Sequence, residues 1–174
     1  MALDAKIEAT FAKQGKLGGS NPLKGREGSS ICTKVDYQIE CPADPHSGLA
    51  MSKRLHKPVA VTIEVDAATV KWINAITQNE TVTSVTISFY QPVTQGLAQG
   101  QAAGTGGEGT PCMTIQLNNA IVQKYEFRLP DTRSMDPDHK NRNMNITVHL
   151  AFMEIVQTWA KGGQTAQDNW TQPQ

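Results

Sequence analysis

Apolar residues recur at every second position over most of the chain, the period of a strand with one buried and one wet face. Ile31, Thr33, Val35, Tyr37 and Ile39 share one parity, and Lys34, Asp36, Gln38 and Glu40 hold the other. Val59, Val61, Ile63 and Val65 repeat the pattern against Thr62 and Glu64. It returns at Val85, Ile87 and Phe89, at Met113, Ile115 and Leu117, and at Tyr125 and Phe127. The longest run is Ile146, Val148, Leu150 and Phe152, with Thr147 and His149 facing the other way. Ile7, Ala9 and Phe11 predict a shorter first strand. One segment changes period: after Asp66, a natural N-cap, Ala68, Trp72 and Ile76 fall four apart, with Val70 and Ile73 on a neighbouring face. The polar run 77–81 then closes the helix near residue 78. These elements predict a mainly β fold, an antiparallel β-barrel of two packed sheets with one α-helix at about 66–78. A half-open barrel of about seven strands would leave edges that must be covered or used.

The connections are uneven. Residues 13–30 join the first two strands, and the extended loop 41–58 is long for a strand connection, a length usually reserved for function. Residues 94–111 are rich in Gly, Ala and Gln and predict a flexible loop, 128–143 are polar with two prolines, and 162–174 read as a C-terminal tail. At 174 residues the whole span 1–174 is expected to form a single domain.

Composition narrows the function classes. Sixteen Lys and Arg balance sixteen Asp and Glu, which argues against nucleic acid or an anionic membrane as partner. No run is long enough to span a bilayer as a helix, and residues 1–16 carry Asp4 and Glu8 with no apolar stretch, so neither a membrane anchor nor a secretory leader is predicted. Three cysteines, Cys32, Cys41 and Cys112, form no CxxC pair and suit a reduced cytoplasm.

Active-site patterns fail on context. Residues 104–109 spell GxGxxG but sit between two strands, where no helix N-terminus follows to hold a phosphate. His46, His56, His139 and His149 share no metal-ligand spacing with one another or with Cys, Asp or Glu, and the DPDHKN segment lacks the Gly and the distal Glu of a calcium loop. No serine occupies a GxSxG elbow. No catalytic residue, metal or cofactor is expected. What remains is the basic cluster Lys53, Arg54, His56 and Lys57, placed where the long loop feeds the strand that starts at Val59. It reads either as ordinary solvated charge or as a set of donors for carboxylates and carbonyls of another subunit.

Three segments carry a resemblance. Residues 24–42 (KGREGSSICTKVDYQIECP), 44–69 with their Lys-Arg-x-His-Lys-Pro run, and 146–170 with the ending Gly-Gly-x-Thr-Ala-x-Asp-x-Trp resemble the haemolysin-coregulated proteins, Hcp, the tube subunits of bacterial type VI secretion systems. The resemblance runs nearly end to end. It implies a non-enzymatic structural subunit that forms homo-hexameric rings, which stack into a hollow tube driven by a contractile sheath from a baseplate and tipped by a spike. It further implies release without a cleavable signal peptide after cytoplasmic synthesis, and carriage of small protein effectors in the lumen. Carried over by position, Lys53, Arg54, His56 and Lys57 become subunit-interface candidates, joined by Lys24, Arg26 and Glu27. The tube protein of a phage-like contractile particle shares this design, and a monomeric ligand-binding barrel is the reading from a different class.

Overall fold

The computed structural model describes residues 4–43, 46–47, 54–90, 111–130 and 143–170. Lys53, most of the Gly-rich stretch 94–111, and much of the 41–58 loop lie outside the described residues. The chain runs through β1 (Asp4–Phe11), the short β2 (Gly15–Lys16), β3 (Ser30–Asp36) and the two-residue β4 (Ile39–Glu40). Next come β5 (Leu55–His56), β6 (Val59–Glu64), α1 (Thr69–Thr77), β7 (Thr81–Tyr90) and β8 (Pro111–Arg128). The order ends with β9 (Asn145–Ala151), β10 (Glu154–Trp159) and β11 (Gln164–Asn169).

The barrel is closed rather than half-open. The strands follow the order β8-β7-β1-β3-β6-β9, every neighbouring pair antiparallel, and β9 then pairs back to β8. Closure depends on β8, an 18-residue strand that pairs with β7 over one part of its length and with β9 over the other. Its first part pairs with β7 from Pro111 to Ile121, and its last part pairs with β9 from Ile121 to Arg128. The sequence suggested two separate strands here because the alternation slips twice. Ile115 and Leu117 point inward, then Ala120 and Val122, with Asn119 at φ 50° between them. A second register shift between Val122 and Lys124 returns Tyr125 to the inner parity. Such irregularities bend a strand and raise its twist, which lets one ribbon follow the curve that closes the barrel.

β10 lies along the free stretch Met113–Asn118 of β8, and β11 pairs with β10 to form a hairpin beyond the barrel. Thus residues 164–169 of the expected tail are a strand, which among the described residues pairs on one side only. A bulge also corrects the reading of β3. Ser30 and Cys32, not Ile31, face the core, and the shift between Cys32 and Lys34 restores Val35 and Tyr37 to the inner side. Burial pushes the Cys32 thiol up to about 12, so it sits in the core as an inert apolar group.

Inside, Ile7, Val59, Val61, Ile63, Val85, Ile87, Leu117, Ile146, Val148 and Leu150 are at most 1% exposed. Each such side chain contributes about 1.5–3 kcal/mol through burial. The interior is therefore filled with side chains, which removes the ground for a ligand cavity within the barrel.

α1 packs on the barrel through Thr69, Trp72 and Ala75, with Trp72 edge-on to Phe11 at 5.1 Å. Val70 and Ile73 point to solvent. The helix starts at Thr69 with Ala68 as its N-cap, two residues later than the Asp66 cap expected. Asp66 still serves the turn that leads into it: Oδ1 accepts from the Ala68 amide at 2.9 Å and the Thr69 hydroxyl accepts from the Asp66 amide at 3.0 Å, while Oδ2 accepts from the Ser20 amide and the Ser30 hydroxyl. At the other end of the helix, buried Glu80 accepts from the amides of Lys13 and Gln14 and from the Gln14 side chain. Burial opposes its charge, but the Gln14 and Lys13 amides outweigh it and hold the carboxyl below its usual range.

Candidate functional site

The segments that read as separate motifs meet in one place. β4 and β5 form a two-residue ladder, Ile39 opposite His56 and Glu40 opposite Leu55, so the two ends of the long loop leave side by side. Just before β5, the Arg54 guanidinium forms a two-pronged contact with the Asp168 carboxylate near the end of β11 and donates to the Asn169 carbonyl at 3.2 Å. His56 Nε2 meets the same carboxylate at 2.7 Å, while its Nδ1 lies 2.6 Å from the Tyr37 hydroxyl. The network assigns the proton to Nε2, which donates to Asp168 and leaves Nδ1 to accept from Tyr37. Tyr37 stacks on the imidazole, and Phe152 and Trp170 contact it at 5.6 and 5.3 Å between ring centres.

Charge and burial make this a holding device. The Arg54 hydrogen bonds hold the Asp168 carboxyl below its ordinary range; burial opposes this and His56 reinforces it. Burial, and then the Asp168 charge, push the Tyr37 hydroxyl up. The His56 side chain is only 3% exposed, with its ring nitrogens taken and aromatic rings against it. No face of the imidazole is left open for a substrate. Among the described residues, no three His, Cys, Asp or Glu gather in a way that would hold a metal ion.

The remaining candidates divide. Lys57 is exposed, with its Nζ 2.7 Å from Glu40 and 3.0 Å from Gln38. Lys24 and Glu27 are also exposed on the 17–30 loop, where the backbone amides of Glu27 and Gly25 lower the Glu27 carboxyl. Arg26 between them is 6% exposed: it pairs with Asp4 and lies over the Tyr90 ring at 3.7 Å. Its carbonyl accepts from the Ser29 hydroxyl at 2.6 Å, and Gly19 bridges to Gly28, so the turn is braced from within. A side chain at Gly19 would meet the Ser29 carbonyl oxygen at 2.3 Å. Arg54, His56 and Arg26 thus act inside the subunit, while Lys24, Glu27 and Lys57 face out.

Sequence reasoning named the cationic half of this cluster and missed Asp168, Tyr37, Phe152 and Trp170. Asp168 is 114 residues from Arg54, beyond any local pattern. The available signal was complementarity, an acid in one specific motif against two basic groups in another.

A second feature lies on the outer face of β3, β6, β9 and the end of β8. Register places Lys34, Thr62, Thr147 and Glu126 in one row, and Asp36, Ala60, His149 and Lys124 in the next. Lys34–Asp36, Lys124–Glu126 and His149–Glu126 ion pairs cross the rows. The face is polar, mixed in sign and gently hollowed, with a concavity of about 340 Å³.

The family model described as "Type VI secretion system effector, Hcp" matches residues 6–159. The chain is 26% identical to the "Major exported protein" of Pseudomonas aeruginosa over 182 residues, covering 99% of this chain and 98% of that protein. Among solved structures, a crystal structure of an Hcp protein superposes with a TM-score of 0.82 at 20% identity, covering 99% of this chain and 100% of the other. Hcp1 from the Escherichia coli EAEC 042 pathovar gives 0.78 at 21%, covering 97% and 99%. The secreted protein Hcp3 from Pseudomonas aeruginosa gives 0.72 at 21%, covering 98% and 100%. The structural likenesses establish a shared barrel, and the family match, spanning the barrel and β10, goes further: this chain belongs to the Hcp family of type VI secretion system proteins.

Proposed function

We propose that the chain is the repeating subunit of a secretion tube. Six copies join head to tail into a ring, and rings stack into a hollow cylinder that a contractile sheath propels behind a spike. The observation that carries this reading is the polar face of β3, β6, β9 and β8. A barrel that fills its own interior and turns a shallowly hollowed, charge-balanced wall outward is suited to lining a wet lumen. Lys24, Glu27 and Lys57 are positioned to meet neighbouring subunits, and Lys53 is assigned the same role from its place beside Arg54. As with the relative named for its export, the subunit leaves the cell with the tube, and small protein effectors travel against the polar wall. The role is structural and involves no catalysis.

Negative-stain electron microscopy of the purified protein, with its mass measured by light scattering, tests the reading. Six-fold rings with a central hole, alone or stacked, are expected. A uniform monomer across dilution would sink it.

A further inference from the structure

Two parts of this molecule are too slight to stand alone. The ladder that gathers the ends of the long loop is two residues per strand, Ile39–Glu40 against Leu55–His56. β11, Gln164–Asn169, is mostly exposed, carries no large apolar residue, and pairs only with β10 among the described residues. Isolated two-stranded ribbons are marginal at best in water, and edge strands fray first. Yet the two are cross-braced by one carboxylate, which Arg54 grips from two nitrogens and His56 from a third. The brace is tightened on both sides: Tyr37 fixes the far nitrogen of His56, and Trp170 contacts the ring while its amide donates to the Met153 carbonyl at 3.1 Å.

We propose that Asp168 is a positioning residue for assembly. By holding Arg54 and His56 it keeps β5 in place beside β4, so the C-terminal hairpin fixes where the two ends of the long connection stand. Asp168 makes its contacts within its own subunit, to Arg54 and His56. Its effect on rings rests on the tube reading, while its effect within the subunit does not. The chemistry is specific: a bidentate, charge-assisted contact needs two anionic oxygens in a plane, which an amide cannot supply.

The test uses the full chain and the substitution Asp168→Asn. Amide exchange at Leu55, Lys57 and residues 164–170 is expected to quicken on the order of tenfold, while β6 and β9 amides stay protected, because local opening is uncoupled from the barrel. At a concentration where native rings are half assembled, the ring fraction is expected to fall to roughly a tenth with the thermal midpoint nearly unchanged. Asp168→Glu, which keeps the charge and both oxygens, is expected to retain most rings. Unchanged exchange in the clamp would overturn the proposal, as would acceleration spread evenly over β6 and β9, the mark of general destabilisation. If Asp168→Asn fails to fold, Tyr37→Phe removes one hydroxyl and reads the same clamp. Faster exchange confined to residues 55–57 and 164–170 supports the brace, and an unchanged pattern overturns it. A native chain without rings would refute the tube reading and the assembly role with it, while the exchange result still decides whether the brace exists.

Discussion

The barrel wall and the clamp join distant parts of the chain by opposite means. β6 and β9 share six register pairs, from Val59–Leu150 to Glu64–Asn145, and alternate residues on both bury completely. At the clamp, a two-residue ladder joins Ile39–Glu40 to Leu55–His56, and a single carboxylate links segments 114 residues apart. The wall is redundant, because each apolar contact is weak and many act together. The clamp is specific and has single points of failure. A protein built this way separates folding, which the wall secures, from the geometry of its projections, which the clamp secures.

The sharpest way to break the contrast is in the wall. Leu150→Ala removes a fully buried side chain and should cost about 2–5 kcal/mol, read as a lower urea midpoint, with barrel and clamp lost together. Survival of the clamp after loss of the barrel would end the distinction. Next comes the 17–30 turn, where Gly19→Ala forces the Ser29 carbonyl aside at about 1–3 kcal/mol. Faster amide exchange centred on residues 19–30 is the expected record, with β9 protected.

Acid separates the regions more gently. Asp168 and Glu80 bind protons less readily folded than unfolded, so their stabilisation is complete above the ordinary carboxylate values near 3.8 and 4.5. It fades as pH falls through their lowered folded values. Titrating Trp170 fluorescence downward from neutrality should show no clamp release until the pH has fallen below the ordinary aspartate value of 3.8, because the Arg54 hydrogen bonds hold the carboxylate ionised. A release already under way above the ordinary aspartate value would overturn that reading. The smallest effect on stability belongs to Lys24→Glu with Lys57→Glu. Both side chains are exposed, so unfolding should shift by no more than about 0.5 kcal/mol per site. Weakened ring association at that unchanged stability would set the outward contacts apart from the inward clamp.

The same contrast governs what the sequence disclosed. Alternation exposed β6 and β9 plainly because their burial patterns are unbroken. It failed where the phase slips, at the β3 bulge that turns Cys32 inward and at Asn119 in β8, because a bulge rewrites parity without changing composition. β11 was invisible to periodicity, since GlnThrAlaGlnAspAsn has no apolar face, and its place comes from pairing with β10 alone. Asp66 was legible as a cap, since its Oδ1 accepts from the Ala68 amide, but its second oxygen also ties Ser20 and Ser30, contacts that no local window contains. Within the site, Arg54 and His56 stood out as charges, but their inward orientation is set by Asp168, a tertiary fact.

The closure of the barrel also imposes an order in time. Val59 of β6 must wait for Leu150 of β9, and at ribosomal rates of about 5–20 residues per second that delay is roughly 5–20 s. Arg54 waits longer still, for Asp168. During synthesis the apolar edge of β6 therefore stands without its mate, a stretch in which chaperone cover matters most. The brace around Asp168 shuts only after every barrel strand has emerged, so a nascent subunit acquires its final outline last, when it is already committed to its fold.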